Sequence, residues 1–98
     1  AIGDQALESG TTGDKNIAIG GFALHDSTTT ENNVAIGYNA MGASTTAEKS
    51  VAVGYYALDA ANSGNENTAI GYNALSANTT GGQNTGIGED AGTSITTG

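Results

Sequence analysis

The phrase "NTAIGYNAL" at residues 67–75 comes back along the chain as "NIAIGGFAL" (16–24), "NVAIGYNAM" (33–41), "SVAVGYYAL" (50–58) and, altered, "NTGIGEDAG" (84–92). Its glycine falls at Gly3, Gly20, Gly37, Gly54, Gly71 and Gly88, always 17 residues apart and with no insertion. Few folds demand so strict a spacing. A solenoid does, because every repeat is one coil and the coils must stack in register. The units are 1–17, 18–34, 35–51, 52–68, 69–85 and an incomplete 86–98, and together they predict one repeat domain over 1–98.

Aligned by coil, the sequence resolves into columns. The second position reads Ile2, Ile19, Ile36, Val53, Ile70, Ile87, and the sixth is always Ala. The seventh reads Leu7, Leu24, Met41, Leu58, Leu75 and then Gly92, and the sixteenth is Asn16, Asn33, Ser50, Asn67, Asn84. A unit this short cannot hold a helix pair, so it predicts two short strands and two turns. "V-A-I" alternates as a strand does, Gly permits the turn after it, and "A-L" opens the second strand. The predicted fold is all-β, a parallel β-solenoid or β-roll of 17-residue coils. Coils stacked about 4.8 Å apart would make a rod roughly 25–30 Å long. The Ile/Val and Leu/Met columns are expected to fill its thin core, with the Asn column forming a ladder.

Composition decides which functions remain. The formal net charge is −8 with the one histidine counted as neutral, and Lys15 and Lys49 are the only Lys or Arg residues. Nothing here could neutralise phosphates, so nucleic acid is excluded as a partner, and direct contact with an anionic membrane is equally unexpected. There is no Cys, which removes disulfide and thiolate–metal designs. No stretch has the length of a membrane helix. Lacking an initiator Met or signal peptide, the sequence reads as an excised segment or processed product. Hydrophobic residues are 37 % of the chain, many of them Ala. So thin a core favours association, since an apolar face buried between chains adds roughly 25 cal/mol per Å².

An enzyme needs a convergent, non-repeating cluster of reactive groups, and none is visible. His25 is the lone histidine and reads as an exposed turn residue. No Gly-x-Ser-x-Gly occurs, and "GGQNTGIG" (81–88) lacks the Lys-Ser/Thr ending of a phosphate loop. The expectation is a non-enzyme without cofactor or dedicated metal. Asp14, Glu31 and Glu48 share one column, and stacked acids can hold a cation weakly. Asn65 and Gly82 interrupt that column, so solvated turn charge is the plainer reading.

Two further columns bear on surfaces. Tyr38, Tyr55 and Tyr72 follow the turn glycine, with Phe22 and Tyr56 one position later. They predict an aromatic ladder that either binds a ligand or glycan or stacks to support the coil or a neighbouring chain. Thr pairs recur at 11–12, 28–29, 45–46, 79–80 and 96–97, and the fourth coil has Asn62 and Ser63 instead. A Thr ladder can bind ice, but adjacent residues of a strand point to opposite faces.

"NNVAIGYNA" (32–40), "KSVAVGYYA" (49–57) and "ENTAIGYNA" (66–74) resemble the head repeat of trimeric autotransporter adhesins, the YadA-like or haemagglutinin-type repeat, whose phrase is Asn-Ser-Val-Ala-Ile-Gly-x-x-Ser. The chain departs in having Ala at the final position and a period longer than the family's spacing of about 14 residues. "NTAIGYNALSANTTGGQNT" (67–85) is similar to repeats in tail-fibre-like proteins of phages and environmental bacteria. The resemblance implies a left-handed roll, a homotrimer, an extracellular place on a cell or virion surface, and attachment to a host matrix protein or glycan. Two alternatives stand beside this reading: a structural filament stacking end to end, and an ice-binding solenoid.

Overall fold

The computed structural model describes residues 1–9, 13–60 and 63–97; Thr11, Thr12 and Asn62 lie outside the described residues. Each coil contributes one three-residue strand: β1 Ile17–Ile19, β2 Val34–Ile36, β3 Val51–Val53, β4 Thr68–Ile70 and β5 Thr85–Ile87. They form one parallel sheet in chain order. Register is that of the repeat, with Ala18 beside Ala35, Ala35 beside Ala52 and Ala52 beside Ala69. Ile2 extends the ladder to the first coil by a bridge to Ile19. The result is a β-solenoid measuring 30 × 19 × 16 Å.

Each strand hands its hydrogen bonds to the coils on either side. The Val34 amide donates to the Ser50 carbonyl at 2.9 Å, and the Gly37 amide to the Ile19 carbonyl at 2.7 Å. Inside, the Asn column adds a second ladder. The Asn33 Nδ2 donates to the Ala47 carbonyl at 2.8 Å, while its Oδ1 accepts the Ser50 amide at 2.8 Å. Asn67 repeats this with Gly81 at 2.7 Å and the Asn84 amide at 2.9 Å. These amides are fully buried, so each bond also removes an unpaired polar group from a dry interior.

The second strand expected at "A-L" does not form; that arm is a chain of turns. The cause is backbone handedness. Gln5, Phe22, Asn39, Tyr56, Asn73 and Asp90 have φ between 58° and 62°, and Leu7, Leu24, Met41, Leu58 and Leu75 have φ between 50° and 54°. Two left-handed residues either side of each Ala wind the chain instead of extending it. The arm still stacks, because the Leu24 amide donates to the Ala40 carbonyl and the Leu58 amide to the Ala74 carbonyl, both at 3.0 Å. A left-handed Leu is costly, and its burial offsets the cost: Leu24, Met41, Leu58 and Leu75 are wholly inaccessible.

The core expected from the Ile/Val column is corrected. Ile2, Ile19, Ile36, Ile70 and Ile87 are exposed and Val53 is only half-buried. The interior column of the strand is its middle residue, Ala18, Ala35, Ala52 and Ala69. Successive strand residues face opposite ways, so in "V-A-I" the two branched residues share the outer face. The Leu/Met ladder fills the coil from the other arm. Only a methyl fits opposite it, and Ala23, Ala40, Ala57 and Ala74 complete the packing.

The last coil is built differently. Gly86 and Gly92 replace the inward Ala and Leu, and a Cβ on either would meet the Leu75 side chain. Leu75 therefore occupies space that earlier coils give to their own residues. Ile95 packs against the core from a column that is polar at Ser27, Ser44 and Asn78.

Candidate functional site

Two exposed ladders dominate the surface. The first is the outer face of the sheet. Ile17, Val34, Val51, Thr68 and Thr85 form one column, and Ile2, Ile19, Ile36, Val53, Ile70 and Ile87 the other. Ile17 is 51 % exposed, and Ile19, Ile36 and Ile70 are 36–38 % exposed despite neighbours on both sides. No charged residue interrupts either column. Sheet geometry sets the two rows at the coil spacing along the rod, which makes a continuous uncharged strip, apolar throughout one column and as far as Val51 in the other.

The second ladder is aromatic. The rings of Tyr38 and Tyr55 stack with centroids 5.3 Å apart and 21° between planes, and those of Tyr55 and Tyr72 with 5.5 Å and 11°. Tyr56 meets Tyr55 edge-on at 4.3 Å, and Phe22 closes one end edge-on to Tyr38 at 5.6 Å. Because the rings face one another, the ladder presents edges and hydroxyls outward rather than flat faces. Tyr38, Tyr55 and Tyr72 are all more than two-fifths exposed. The Tyr56 phenol is raised above its ordinary value, first by its hydrogen bond with Tyr55 and then by the charge of Tyr55 and by burial.

Acids and the histidine lie elsewhere. His25 Nδ1 is 2.7 Å from Asp26 Oδ1, and Nε2 is 2.6 Å from Glu8 Oε2, with Gln5 Oε1 at 3.1 Å. Two carboxylates facing two ring nitrogens are satisfied together only by the imidazolium, which donates from both. The His25 pKa is accordingly raised, most by the Asp26 hydrogen bond and further by Glu8, against an opposing effect of burial. Since Glu8 belongs to the coil before, this clasp joins two coils. Asp59 is also raised, by burial, with the amides of Asp59 and Ala60 pulling the other way.

In the acid column, Glu31 and Glu48 pair through their backbones as a bridge, and Asn65 Oδ1 accepts the Glu48 amide at 2.9 Å. Among the described residues no group of three acids or histidines converges as Asp14, Glu31 and Glu48 would have to for a cation. Among the described residues Thr28, Thr29, Thr45, Thr46, Thr79, Thr80 and Thr96 lie in bends instead of strands. Thr28 Oγ1 donates to the Thr45 carbonyl at 3.0 Å and Thr79 Oγ1 to the Thr96 carbonyl at 3.3 Å. Those hydroxyls bind the next coil and are not aligned outward. Among the described residues the surface has no cavity, and no helix is long and apolar enough to cross a membrane.

Sequence reasoning passed over Ser27, Thr30 and Ser44. Ser27 Oγ and Thr30 Oγ1 are hydrogen-bonded inside the rod, whereas the buried Ser44 Oγ has no partner, because Ala47 stands where its coil would need a Thr. A comparison of the two columns, Ser-x-x-Thr in one coil and Ser-x-x-Ala in the next, carries that signal.

The fold and its surfaces define a parallel β-solenoid whose exposed features are ladders. Compared with known proteins, the chain matches no family model, no curated protein and no solved structure.

Proposed function

We propose that the chain is a non-enzymatic repeat segment of an extracellular fibre, of adhesin-head or tail-fibre type, working as stalk and display surface in attachment to cells or matrix. The fibre is a homotrimer, and the outer sheet face is where its chains meet. One observation carries this reading: the outward strip of Ile and Val on β1–β3, continued by Ile70 on β4. An apolar strip this regular has no use in water, and covering it with the same strip of another copy keeps every coil in register. Ile17, Ile19, Ile36 and Ile70 are one-third to one-half exposed in the single chain, so covering the remainder contributes about 1 kcal/mol each, which complements a monomer core built on one large side chain per coil. The resemblance to YadA-like repeats supports the trimer and the left-handed winding.

Beyond the interface, the acidic turns keep the rod soluble. The tyrosine edge is the part of the surface with the chemistry to meet a matrix protein or glycan.

Sedimentation equilibrium of the chain tests the reading. The expected mass is three chains. A monomer at micromolar concentration overturns the trimer, and an open-ended series of larger species favours the filament alternative.

A further inference from the structure

We infer that the tyrosine ladder is a site of oxidative cross-linking, in which one-electron oxidants join Tyr55 to Tyr38 or to Tyr72 and so tie successive coils together covalently. Three features of the chain converge on it. The repeat places a phenol at the same position of three consecutive coils. Their rings stack at 5.3 and 5.5 Å with planes 21° and 11° apart. All three are exposed, so an oxidant in solution reaches them. Phe22, edge-on to Tyr38, and Glu89, at the repeat position that follows Tyr72, lack the phenol, which confines the chemistry to the middle coils.

The reaction needs an oxidant of the hydrogen-peroxide class acting through a haem peroxidase. Each of two neighbouring tyrosines loses one electron and its phenolic proton, giving two phenoxyl radicals with spin on the carbons ortho to oxygen. Those two ortho carbons form the new C–C bond. The proton each carried moves to its own oxygen, which restores two phenols. The pair has lost two electrons and two protons, and the peroxide takes them up as two molecules of water. The rings need only close along the direction in which they already stack, a movement open to χ1 and χ2 of surface side chains. Tyr55 is the pivot, because it alone has a stacked phenol on both sides. Tyr56, edge-on to Tyr55 at 4.3 Å and to Tyr38 at 5.9 Å, can feed its own radical into the same ladder.

Coupling in this ladder is within one chain, so it does not depend on how many chains associate. The product would lock the register of the middle coils.

The test is to treat the chain with horseradish peroxidase and hydrogen peroxide, then to read dityrosine fluorescence and map linked peptides by mass spectrometry. The expected result is a mass loss of two hydrogens per link and peptides joining the segments around 38 and 55 or around 55 and 72. The yield per chain should be independent of protein concentration. Tyr55→Phe should lose most of the dityrosine signal, while Tyr38→Phe retains the 55–72 link. The same chain unfolded in urea should lose the preference for those two pairs. An undiminished yield in Tyr55→Phe, links found only between chains, or an identical peptide pattern in urea would each overturn the proposal.

Discussion

The carbonyl oxygen of Gly54 lies 2.5 Å from the point where a Cβ on Gly37 would sit. Gly37 also has a φ of 132°, a conformation that side chains disfavour by about 1–3 kcal/mol before any clash. The same pair of constraints recurs at Gly3, Gly20, Gly54 and Gly71, each against the backbone of the next coil. Gly37→Ala should therefore destabilise the rod by more than about 3 kcal/mol, the strain and the displaced backbone adding together. Urea denaturation followed by circular dichroism reads this directly. Gly88→Ala should be milder, since a Cβ there meets no atom within 4 Å; equal losses at both positions would mean that the close approach is not what holds the column.

The period and the parallel stack were legible because a 17-residue spacing admits few other structures. The orientation of the strand was legible too, although the expectation took the wrong side. Ile19 and Ile17 are two apart and must share a face, and an Ala that persists at 18, 35, 52 and 69 is the residue that a narrow interior tolerates. The turn arm was not legible. Asn39, Asn73 and Asp90 suit left-handed backbone, but Phe22 and Tyr56 occupy the same position, and Leu at φ near 50° carries no local signal at all. That conformation is imposed by stacking, since the Leu24 and Leu58 amides bond to neighbouring coils. The aromatic column could be read as a ladder, whereas its ring-on-ring geometry needed the coil spacing and side-chain angles together.

Ser44 sits wholly buried with an unpartnered hydroxyl. Ser44→Ala should raise stability by about 1 kcal/mol, since an unsatisfied buried hydroxyl is destabilising and a methyl fills much of its space. Ser27→Ala should do the reverse, because it strands Thr30 Oγ1 in the interior. A shared sign for the two changes, measured as urea midpoints, would contradict the assigned pairing.

Lys49 is exposed and holds a φ of 57°. Its backbone amide, which donates to Glu31 at 3.1 Å, is the part the fold uses. Lys49→Gly keeps that bond and removes the left-handed penalty of about 1–2 kcal/mol, less the entropy Gly loses on folding. The net expectation is a gain of about 0.5 kcal/mol, visible as a higher urea midpoint at unchanged slope.

The His25 clasp gives stability a pH dependence of known sign. Its folded pKa is raised above 6.5 by Asp26 and Glu8, so the folded chain binds that proton more tightly than the unfolded chain. The stabilisation is complete below pH 6.5, where both states are protonated. It is lost as pH rises through the folded value. Because the clasp is solvent-accessible, the effect should be modest and should shrink in high salt. Thermal melting across this window should show the trend in the native chain and a flat profile in His25→Gln. A trend that persists in the variant would assign it to other groups.

Leu58 and Ile36 separate the two apolar surfaces. Leu58 is fully buried, so Leu58→Ala should cost about 2–5 kcal/mol whatever the association state. Ile36 points outward from β2, so Ile36→Asp places its charge in solvent and leaves the coil interior intact. In a lone chain it should cost about 1 kcal/mol of folding stability, from lost strand propensity and the part of the side chain that its neighbours Ile19 and Val53 cover, and leave the rod folded. In a trimer it buries three unpaired carboxylates at the proposed interface and should abolish association. The discriminating measurement is sedimentation alongside circular dichroism: loss of the trimer with the spectrum of the rod retained. If Ile36→Asp left the mass of the assembly unchanged, the Ile/Val strip would not be the surface on which the chains meet.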